Sequence, residues 1–508
     1  MINLNNFYFI ILGFAIFLFA GFIRVRPVLY HKNYGIDHWY WLLCTEELKN
    51  KKRIPIVLNN FILEIDEQWY PPLYSLFLSI FPLNFLKKRG YVVVILIDCI
   101  QLLVLYCFTY YITNNYVIAI SAAFIYSITP FLINYNIQLN PRGLASLLFI
   151  IVMIIIYFYH ATSKIYLIPI VIIIGVLILL LHKMATQLLI FTLMILSIIE
   201  LDLIYIYFTI GIIIFTFIFS MGFYSKVLSA HWDIVSFWNR NRNYVNAHQY
   251  YESPLYRKEE FKSTAFHNKG IKGVLNHVRV IFFANPFIIL SILYGILNFN
   301  NLSTITIFLF KLNVIIFIWI ILTTFIPQLK CLGAGVNYIY FSALPTAYLI
   351  SESIYNGEII YVIAAVILVV LSILKIIRIY KKIKYNREMS INNDLIKTFN
   401  YLEKLPENNI LCIPLKLSDA AAYFTRKKIL WGGHSYGFKK LEEFFPIIRG
   451  KIEDIIVKYD INFILLDIKY LSIHELIKDK KLILKIYKNE NYTVYKVIRN
   501  RYVISKSY

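Results

Sequence analysis

The segment Tyr34-Gly35-Ile36-Asp37-His38-Trp39-Tyr40 is a polar stretch in a chain that is otherwise strongly apolar. It follows an uncharged run, residues 7–23, that is long enough to cross a membrane. A carboxylate and a histidine are costly to hold beside a membrane segment, so such groups indicate a functional site by default. Asp37 could equally be the N-cap of a helix that begins at His38. Both interpretations stay open on the residues alone.

The composition predicts a membrane protein. The chain has 508 residues, 59% of them hydrophobic, and a mean hydropathy of +0.64, whereas soluble domains are about 45–50% apolar. Long apolar runs predict a mainly α-helical, polytopic transmembrane bundle of about 11–13 spans over residues 1–380. Shorter apolar segments and a hairpin signal at Asn489-Glu490-Asn491 predict a small soluble α/β domain over residues 381–508.

The charge and the cysteines exclude several other classes of protein. A formal net charge of +22 would suggest a nucleic-acid partner in a soluble protein. Here Lys and Arg flank apolar runs, where they meet anionic membrane lipid, and no nucleic-acid-binding motif is present. The five cysteines are scattered without metal-ligand spacing and do not indicate a disulfide framework. No Walker loop or nucleophile elbow occurs, which argues against an ATP-driven transporter.

A second polar segment, Ile65-Asp66-Glu67-Gln68-Trp69-Tyr70-Pro71-Pro72, closes the first loop, residues 24–72. Asp66 and Glu67 are either a helix-start pair or oxygen ligands of a divalent ion. The identity of any cofactor is unknown from the sequence, but Mg²⁺ or Mn²⁺ bound by Asp37, Asp66 and Glu67 is one hypothesis. The aromatic side chains of both polar segments are suited to contact a sugar; they include Trp39, Trp69 and Tyr70.

Three basic residues interrupt or end apolar runs farther along the chain. Arg142 lies in the break Gln138-Leu139-Asn140-Pro141-Arg142-Gly143, and its planar guanidinium matches the oxygens of a phosphate. His182 and Lys183 end another apolar run and could hold a pyrophosphate. The alternative for all three is that they mark the end of a membrane span. The long polar loop at residues 224–277 is either functional or disordered, and its Trp and Tyr content argues against disorder.

These residues together resemble the GT-C superfamily of membrane glycosyltransferases, in its oligosaccharyltransferase-like and mannosyltransferase-like branches. The resemblance rests on the first span, the acidic loop, residues 69–74 leading into a helix, Asn140-Pro141-Arg142-Gly143 opening a span, and the motif Gly333-Ala334-Gly335-Val336-Asn337-Tyr338. It implies a polyprenyl-linked sugar donor, and a glycan, lipid or protein acceptor, in cell-envelope glycan biosynthesis. Asp37 would be the catalytic aspartate, of inverting type, and Arg142 would lie near the donor phosphate.

The resemblance also bears on topology. If residues 72–85 span the membrane, the C-terminal domain lies inside, as the positive-inside tendency favours for Lys375–Arg387. If they do not, the Arg142 break, the loop at 224–277 and the C-terminal domain share one face with Asp37. We expect the second arrangement, with the active site on the outer face of the plasma membrane.

Two further functions remain open from the sequence. A flippase for lipid-linked oligosaccharides, or another polytopic transporter, would tend to show inverted repeats and charges buried in mid-span. No convincing repeat is visible, and mid-span charges such as Asp98 and Lys311 are few. A structural membrane partner without chemistry is the third interpretation.

Overall fold

The architecture was obtained as a computed structural model. It describes residues 4–30, 35, 37–54, 58–64, 69–242, 270–385, 391–432, 440, 442–443, 445–446, 451–470, 472–477 and 479–498. These form two compact units. The first comprises residues within 1–32, 88–228 and 268–386, and the second comprises residues within 33–87, 229–267 and 387–508.

Helices dominate the chain, as its long apolar runs predict. Their bounds are α1 (Leu4–Tyr30), α2 (Asp37–Lys51), α3 (Leu73–Leu78), α4 (Leu83–Thr113), α5 (Tyr116–Ser127), α6 (Pro130–Tyr135), α7 (Arg142–Thr162), α8 (Leu167–Leu179), α9 (Lys183–Glu200), α10 (Ile204–Phe219), α11 (Phe223–Arg240), α12 (Gly270–Ala284), α13 (Phe287–Leu297), α14 (Thr304–Phe325), α15 (Ile339–Asn356), α16 (Ile359–Tyr385), α17 (Asn393–Glu403), α18 (Ser418–Thr425), α19 (Ile452–Lys458) and α20 (Ile473–Leu476).

The first unit is the predicted multi-pass membrane bundle. Among the described helices, six are long and apolar enough to cross a membrane, or up to eight if each of two bent pairs is one span. The sequence predicts about 11–13 spans because every apolar run counts as one. Several runs form shorter helices instead: residues 116–135 divide at Pro130, where the ring removes a backbone donor. Helix α8 has only 13 residues.

The second unit contains the small α/β domain that the sequence predicts. Five strands form its sheet in the order β2-β1-β3-β5-β4, where β1 is Asn409–Ile413, β2 is Lys428–Ile429, β3 is Phe463–Asp467, β4 is Ile483–Lys488 and β5 is Tyr492–Val497. Strands β2, β1 and β3 are parallel, and β5 pairs antiparallel with β3 and β4. The β4–β5 pair is the hairpin expected around Asn489-Glu490-Asn491, because Asn side chains favour tight turns.

The sequence predicts three helical segments in this unit, and the structure bears on each of them. Apolar Trp39, Leu42 and Leu43, followed by charged residues, predict a short amphipathic helix at the membrane surface over His38–Arg53. The segment is helical, but the predicted surroundings are wrong, because nine residues of α2 are buried. The run from Pro72 to Phe81 forms only the six-residue α3, far too short to span a membrane. Of the helix predicted over Lys439–Tyr459 the structure describes α19, while residues 439, 441, 444 and 447–450 lie outside the described part of the chain.

Three separate stretches of chain build the apolar core of the second unit. Leu63 comes from the first loop, and Ala230, Ile234 and Phe237 come from α11. They pack with buried residues of the sheet and its helices: Leu411, Ile413, Leu415, Leu430, Trp431, Phe445, Ile452, Ile455, Ile456, Ile461, Ile464, Leu466, Ile473, Ile477, Leu482 and Val497. The first part of the loop predicted at 224–277 is therefore helix α11, while residues 243–269 lie outside the described part of the chain.

This shared core decides part of the topology. A loop and a domain that bury side chains in one apolar core lie on the same side of a membrane. If they lay on opposite sides, the bilayer would separate their side chains. The first loop, the part of α11 that belongs to the second unit (residues 229–240) and the C-terminal domain therefore lie on one side of the membrane.

We expect cysteines placed in these segments to be labelled from one side by a membrane-impermeant maleimide. Arg53→Cys in the first loop and Glu490→Cys in the hairpin are exposed, and Cys107→Ser with Cys331→Ser removes the more accessible native thiols. Lys164→Cys, exposed just after α7, is the reference position for the efficiency of labelling. Labelling of Arg53→Cys and Glu490→Cys from different sides would contradict the fold.

Candidate functional site

Three turns of the membrane unit meet around Arg142. The first joins α6 to α7, and the second contains His182 at the start of α9. The third consists of two 3₁₀ turns, Pro327–Leu332 and Gly335–Tyr338. The Tyr135 hydroxyl donates to the Asn337 side-chain oxygen, which joins the first turn to the third. The Tyr338 hydroxyl donates to Gln187 Oε1 at 2.6 Å, which joins the third turn to α9.

The first turn fixes the position of Arg142. Asn140 holds this turn by donating to the Tyr135 carbonyl at 3.1 Å and accepting from the Arg142 backbone N–H at 3.0 Å. The Arg142 guanidinium lies over the Tyr135 ring, 4.5 Å from its centroid. Stacking of this kind suits the planar guanidinium and leaves its edge free to bind an anion.

Two cations of the described residues, Arg142 and Lys183, lie close together. Lys183 lies close enough to Arg142 for the two positive charges to repel each other. Within the described ranges neither side chain has a carboxylate partner, and Arg142 Nε is buried without a hydrogen bond. His182 is buried beside Lys183 as the N-cap residue of α9. Holding like charges together at a membrane helix end is costly, so the arrangement fits an anionic ligand.

The glycine motif closes this side of the site. Gly333 has φ +130°, a backbone conformation that L-residues rarely adopt. A Cβ at this position would lie 3.2 Å from the Met184 methyl carbon of α9. The motif therefore allows the third turn to approach α9 closely, next to Lys183.

Asp37 and His38 begin α2 in the second unit. Asp37 is partly buried in the first helical turn. His38 is 6% exposed, a ring N–H bonds to the Lys87 backbone, and Nε2 has no partner among the described residues. Burial lowers the pKa of His38 to about 4, and the bond to Lys87 offsets part of that decrease. The imidazole is therefore neutral at physiological pH and suited to accept a hydrogen bond.

Helix α18 of the C-terminal domain holds α2 in place. The Trp39 ring packs on Tyr423 and Phe424, with centroids 5.3 and 4.7 Å away. Arg426 makes a bidentate pair with Glu46 at 2.9 Å on both oxygens. Trp39 is 2% exposed, so in this structure its ring positions α2, and its predicted contact with a sugar stays a prediction.

Trp69 and Tyr70 also lie against protein. Both are partly buried and pack on the core of the second unit, and Tyr70 meets the edge of Trp41 with centroids 5.1 Å apart. Asp66 and Glu67 lie outside the described residues. In the described ranges no three His, Cys, Asp or Glu side chains form a metal-binding group.

Sequence reasoning missed several residues of these two sites. Tyr135, Gln187 and Arg426 carry contacts that depend on partners 150 to 380 positions away. In the sequence, Lys87 belongs to a basic run of the kind that indicates the cytoplasmic side of a membrane span. In the structure its ammonium lies over the rings of Tyr423 and Phe424. Local sequence patterns contain no signal for such pairings.

Solved structures with the same architecture cover nearly all of the chain. One is ArnT from Cupriavidus metallidurans bound to undecaprenyl phosphate, with a TM-score of 0.56, 10% identity, and coverage of 96% of this chain and 97% of that one. Another is the archaeal oligosaccharyltransferase AglB from Archaeoglobus fulgidus in complex with an inhibitory peptide and a dolichol-phosphate. Its TM-score is 0.53 at 12% identity, over 91% of this chain and 70% of that one.

The chain has the GT-C fold. This confirms the fold that the sequence motifs predict. A further structure of the Archaeoglobus fulgidus oligosaccharyltransferase, in complex with Zn and sulfate, matches with a TM-score of 0.56 at 12% identity, over 89% of this chain and 68% of that one. No family model and no curated protein matches the sequence. At these identities the likeness establishes the GT-C fold alone.

We expect the Arg426–Glu46 pair to couple the two helices measurably. Arg426→Glu or Glu46→Arg should each speed hydrogen exchange of the α2 amides, and the double reversal should restore protection. The coupling free energy should be about 0.5–1 kcal/mol, because the pair is bidentate but half-exposed at Arg426. Reversal of the exposed pair Lys458–Glu443 is the control and should leave α2 unchanged. Failure of the double reversal to protect α2 would contradict this role.

The buried His38 should make the protein less stable as the pH is lowered from 6.5 to 4. The folded pKa of His38 lies below the unfolded value of about 6.5, so the unfolded chain binds more protons between pH 6.5 and 4. Stability from this group is complete above pH 6.5 and decreases by up to ~3 kcal/mol at pH 4. Thermal unfolding from pH 7.5 to 4 should show a weaker pH dependence for His38→Gln than for wild type. The exposed His474→Gln is the control; an equal dependence in His38→Gln would refute the assignment.

Proposed function

We propose that the chain is a membrane glycosyltransferase that moves a sugar from a polyprenyl-phosphate-linked donor to a glycan, lipid or protein acceptor. The observation that carries the proposal is the pair of cations, Arg142 and Lys183, held together without a described carboxylate at a turn of the membrane bundle. A phosphate at the membrane surface is the anion this arrangement fits, since the guanidinium offers two parallel donors.

The fold comparison supports the same donor class. ArnT, which this chain matches along almost its whole length, was solved bound to undecaprenyl phosphate, and AglB in complex with a dolichol-phosphate. A lipid-borne phosphate needs a binding group at the end of membrane helices. In this chain Arg142 and Lys183 open α7 and α9, two helices that qualify as membrane spans.

In the proposed reaction Asp37 orients the acceptor nucleophile and takes its proton. The nucleophile attacks the anomeric carbon from the face opposite the phosphate, so the reaction is of inverting type. The bond from that carbon to the phosphate oxygen breaks, and the electron pair leaves with the lipid phosphate. Arg142 and Lys183, with His182, stabilise the charge that develops there.

The remaining predicted residues have supporting roles in this proposal. His38 would accept a hydrogen bond through Nε2, and Trp39, Trp69 and Tyr70 would shape the acceptor side of the site. Asp66 and Glu67 stay predicted substrate-binding residues, and with Asp37 they stay the predicted ligands of any Mg²⁺ or Mn²⁺. The active site would lie on the outer face of the plasma membrane.

Transfer from a radiolabelled polyprenyl-linked sugar, measured with the purified full chain, tests the proposal. Asp37→Asn keeps the shape of the side chain but cannot take the proton, so we expect kcat to fall by about 10²–10⁴. Glu490→Gln, an exposed acid of the hairpin, is the matched control and should retain full activity.

Two outcomes would overturn the assignment. Full transfer by Asp37→Asn would remove the carboxylate from the reaction. Movement of the lipid-linked sugar across vesicles without transfer would instead identify a flippase.

A further inference from the structure

An ion pair lies inside the helical bundle that the proposed transfer reaction does not use. Arg24 of α1 pairs with Asp98 of α4, and both side chains are fully buried. Arg24 also donates to the backbone carbonyls of Ala20 and Ser127, at 3.3 and 3.2 Å. Ionisable residues within membrane spans are expensive to bury and commonly serve a function.

The network continues from Asp98 through two tyrosines. The Tyr126 hydroxyl donates to Asp98 Oδ1 at 2.6 Å. The Tyr340 hydroxyl lies 3.4 Å from the same oxygen and donates to Asn136 Oδ1 at 2.9 Å. Tyr340 is fully buried at the start of α15. It therefore connects the ion pair to the turn between α6 and α7.

That turn carries the anion-binding arginine. Asn136 follows Tyr135 directly, and the Tyr135 ring supports the Arg142 guanidinium. Gly143 lies against the same hydroxyl: a Cβ there would stand 3.2 Å from the Tyr340 oxygen and 4.0 Å from Asn136 Oδ1. Tyr340 thus touches the turn on both sides of Arg142 in sequence.

We infer that Tyr340 is a positioning residue that couples the buried Arg24–Asp98 pair to the turn carrying Arg142, and thereby sets the affinity for a lipid-borne phosphate. The inference rests on the proposed function, because it needs Arg142 to bind that phosphate. Asp98 supplies a fixed anchor, since its second oxygen is held by Arg24. Removing the Tyr340 hydroxyl leaves the ion pair intact but releases Asn136.

The test measures binding of farnesyl phosphate to the full chain in detergent by isothermal titration calorimetry, with farnesol and inorganic phosphate as reference ligands. Tyr340→Phe should weaken farnesyl phosphate binding about fivefold, the usual effect of one hydrogen bond, and should leave farnesol binding unchanged. Tyr348→Phe is the matched control: its hydroxyl lies on the same helix, 3.4 Å from Thr306 Oγ1, and its loss should not change the affinity.

A double variant separates positioning from general packing. If Tyr340 acts through Arg142, Tyr340→Phe should cause no further loss of affinity in an Arg142→Ala background. Three results would each overturn the role of Tyr340 without affecting the proposed function: additive losses of affinity in the double variant, an unchanged affinity of Tyr340→Phe, or an equal loss of farnesol affinity.

The proposed function fails in a different and recognisable way. Wild-type protein that binds farnesyl phosphate no better than farnesol has no phosphate site, which would overturn both the proposed function and the role of Tyr340. Equal affinity for inorganic phosphate and farnesyl phosphate would overturn the assignment of a lipid-borne phosphate.

Discussion

A cation enclosed by membrane helices has to meet an anion, because lipid tails and a dry protein interior do not solvate it. For Arg24 that anion is the carboxylate of Asp98, with which it forms a buried ion pair. At Arg142 and Lys183 the described residues supply no carboxylate, and the two cations repel each other. The charges of Arg24 and Asp98 are therefore balanced within the bundle, whereas the arrangement of Arg142 and Lys183 fits an anionic ligand, which the proposed function supplies as a lipid-borne phosphate.

The second unit shows how one carboxylate is placed by distant parts of the chain. Asp37 begins a helix that is packed against α18, nearly four hundred residues later. The contacts that hold this helix are of mixed kind: aromatic packing at Trp39, an ion pair at Glu46, and the hydrogen bond from His38 to the Lys87 backbone. Such a helix is held by side chains on several of its faces, which limits how far its first turn moves. The proposed reaction would depend on this placement of Asp37, because accurate placement of reacting groups contributes strongly to catalysis.

The sequence allowed the fold to be predicted where the physics is local. Apolar runs gave the helices, the Asn489-Glu490-Asn491 turn gave a hairpin, and short motifs gave the GT-C resemblance. Prediction from the sequence failed where distant parts of the chain decide whether a helix is buried in protein or lies at the membrane surface. The apolar residues of α2 suggest a membrane-surface helix, yet they are buried by α18 and α3. At the candidate site, Arg142 and Lys183 could be named from their positions at the ends of apolar runs. Their proximity, and the contacts of Tyr135 and Tyr340, depend on pairings across up to about two hundred residues.

The core of the second unit is assembled from the first loop, α11 and the C-terminal residues. A protein made of residues 391–498 alone would lack Leu63, Ile234 and Phe237, and would leave the side chains that they cover open to water. Exposed apolar surface of that kind promotes aggregation. The C-terminal part is therefore unsuited to expression as an isolated fragment. Chimaeras between chains of this architecture would need to exchange all three stretches as a set, rather than cut once after α16.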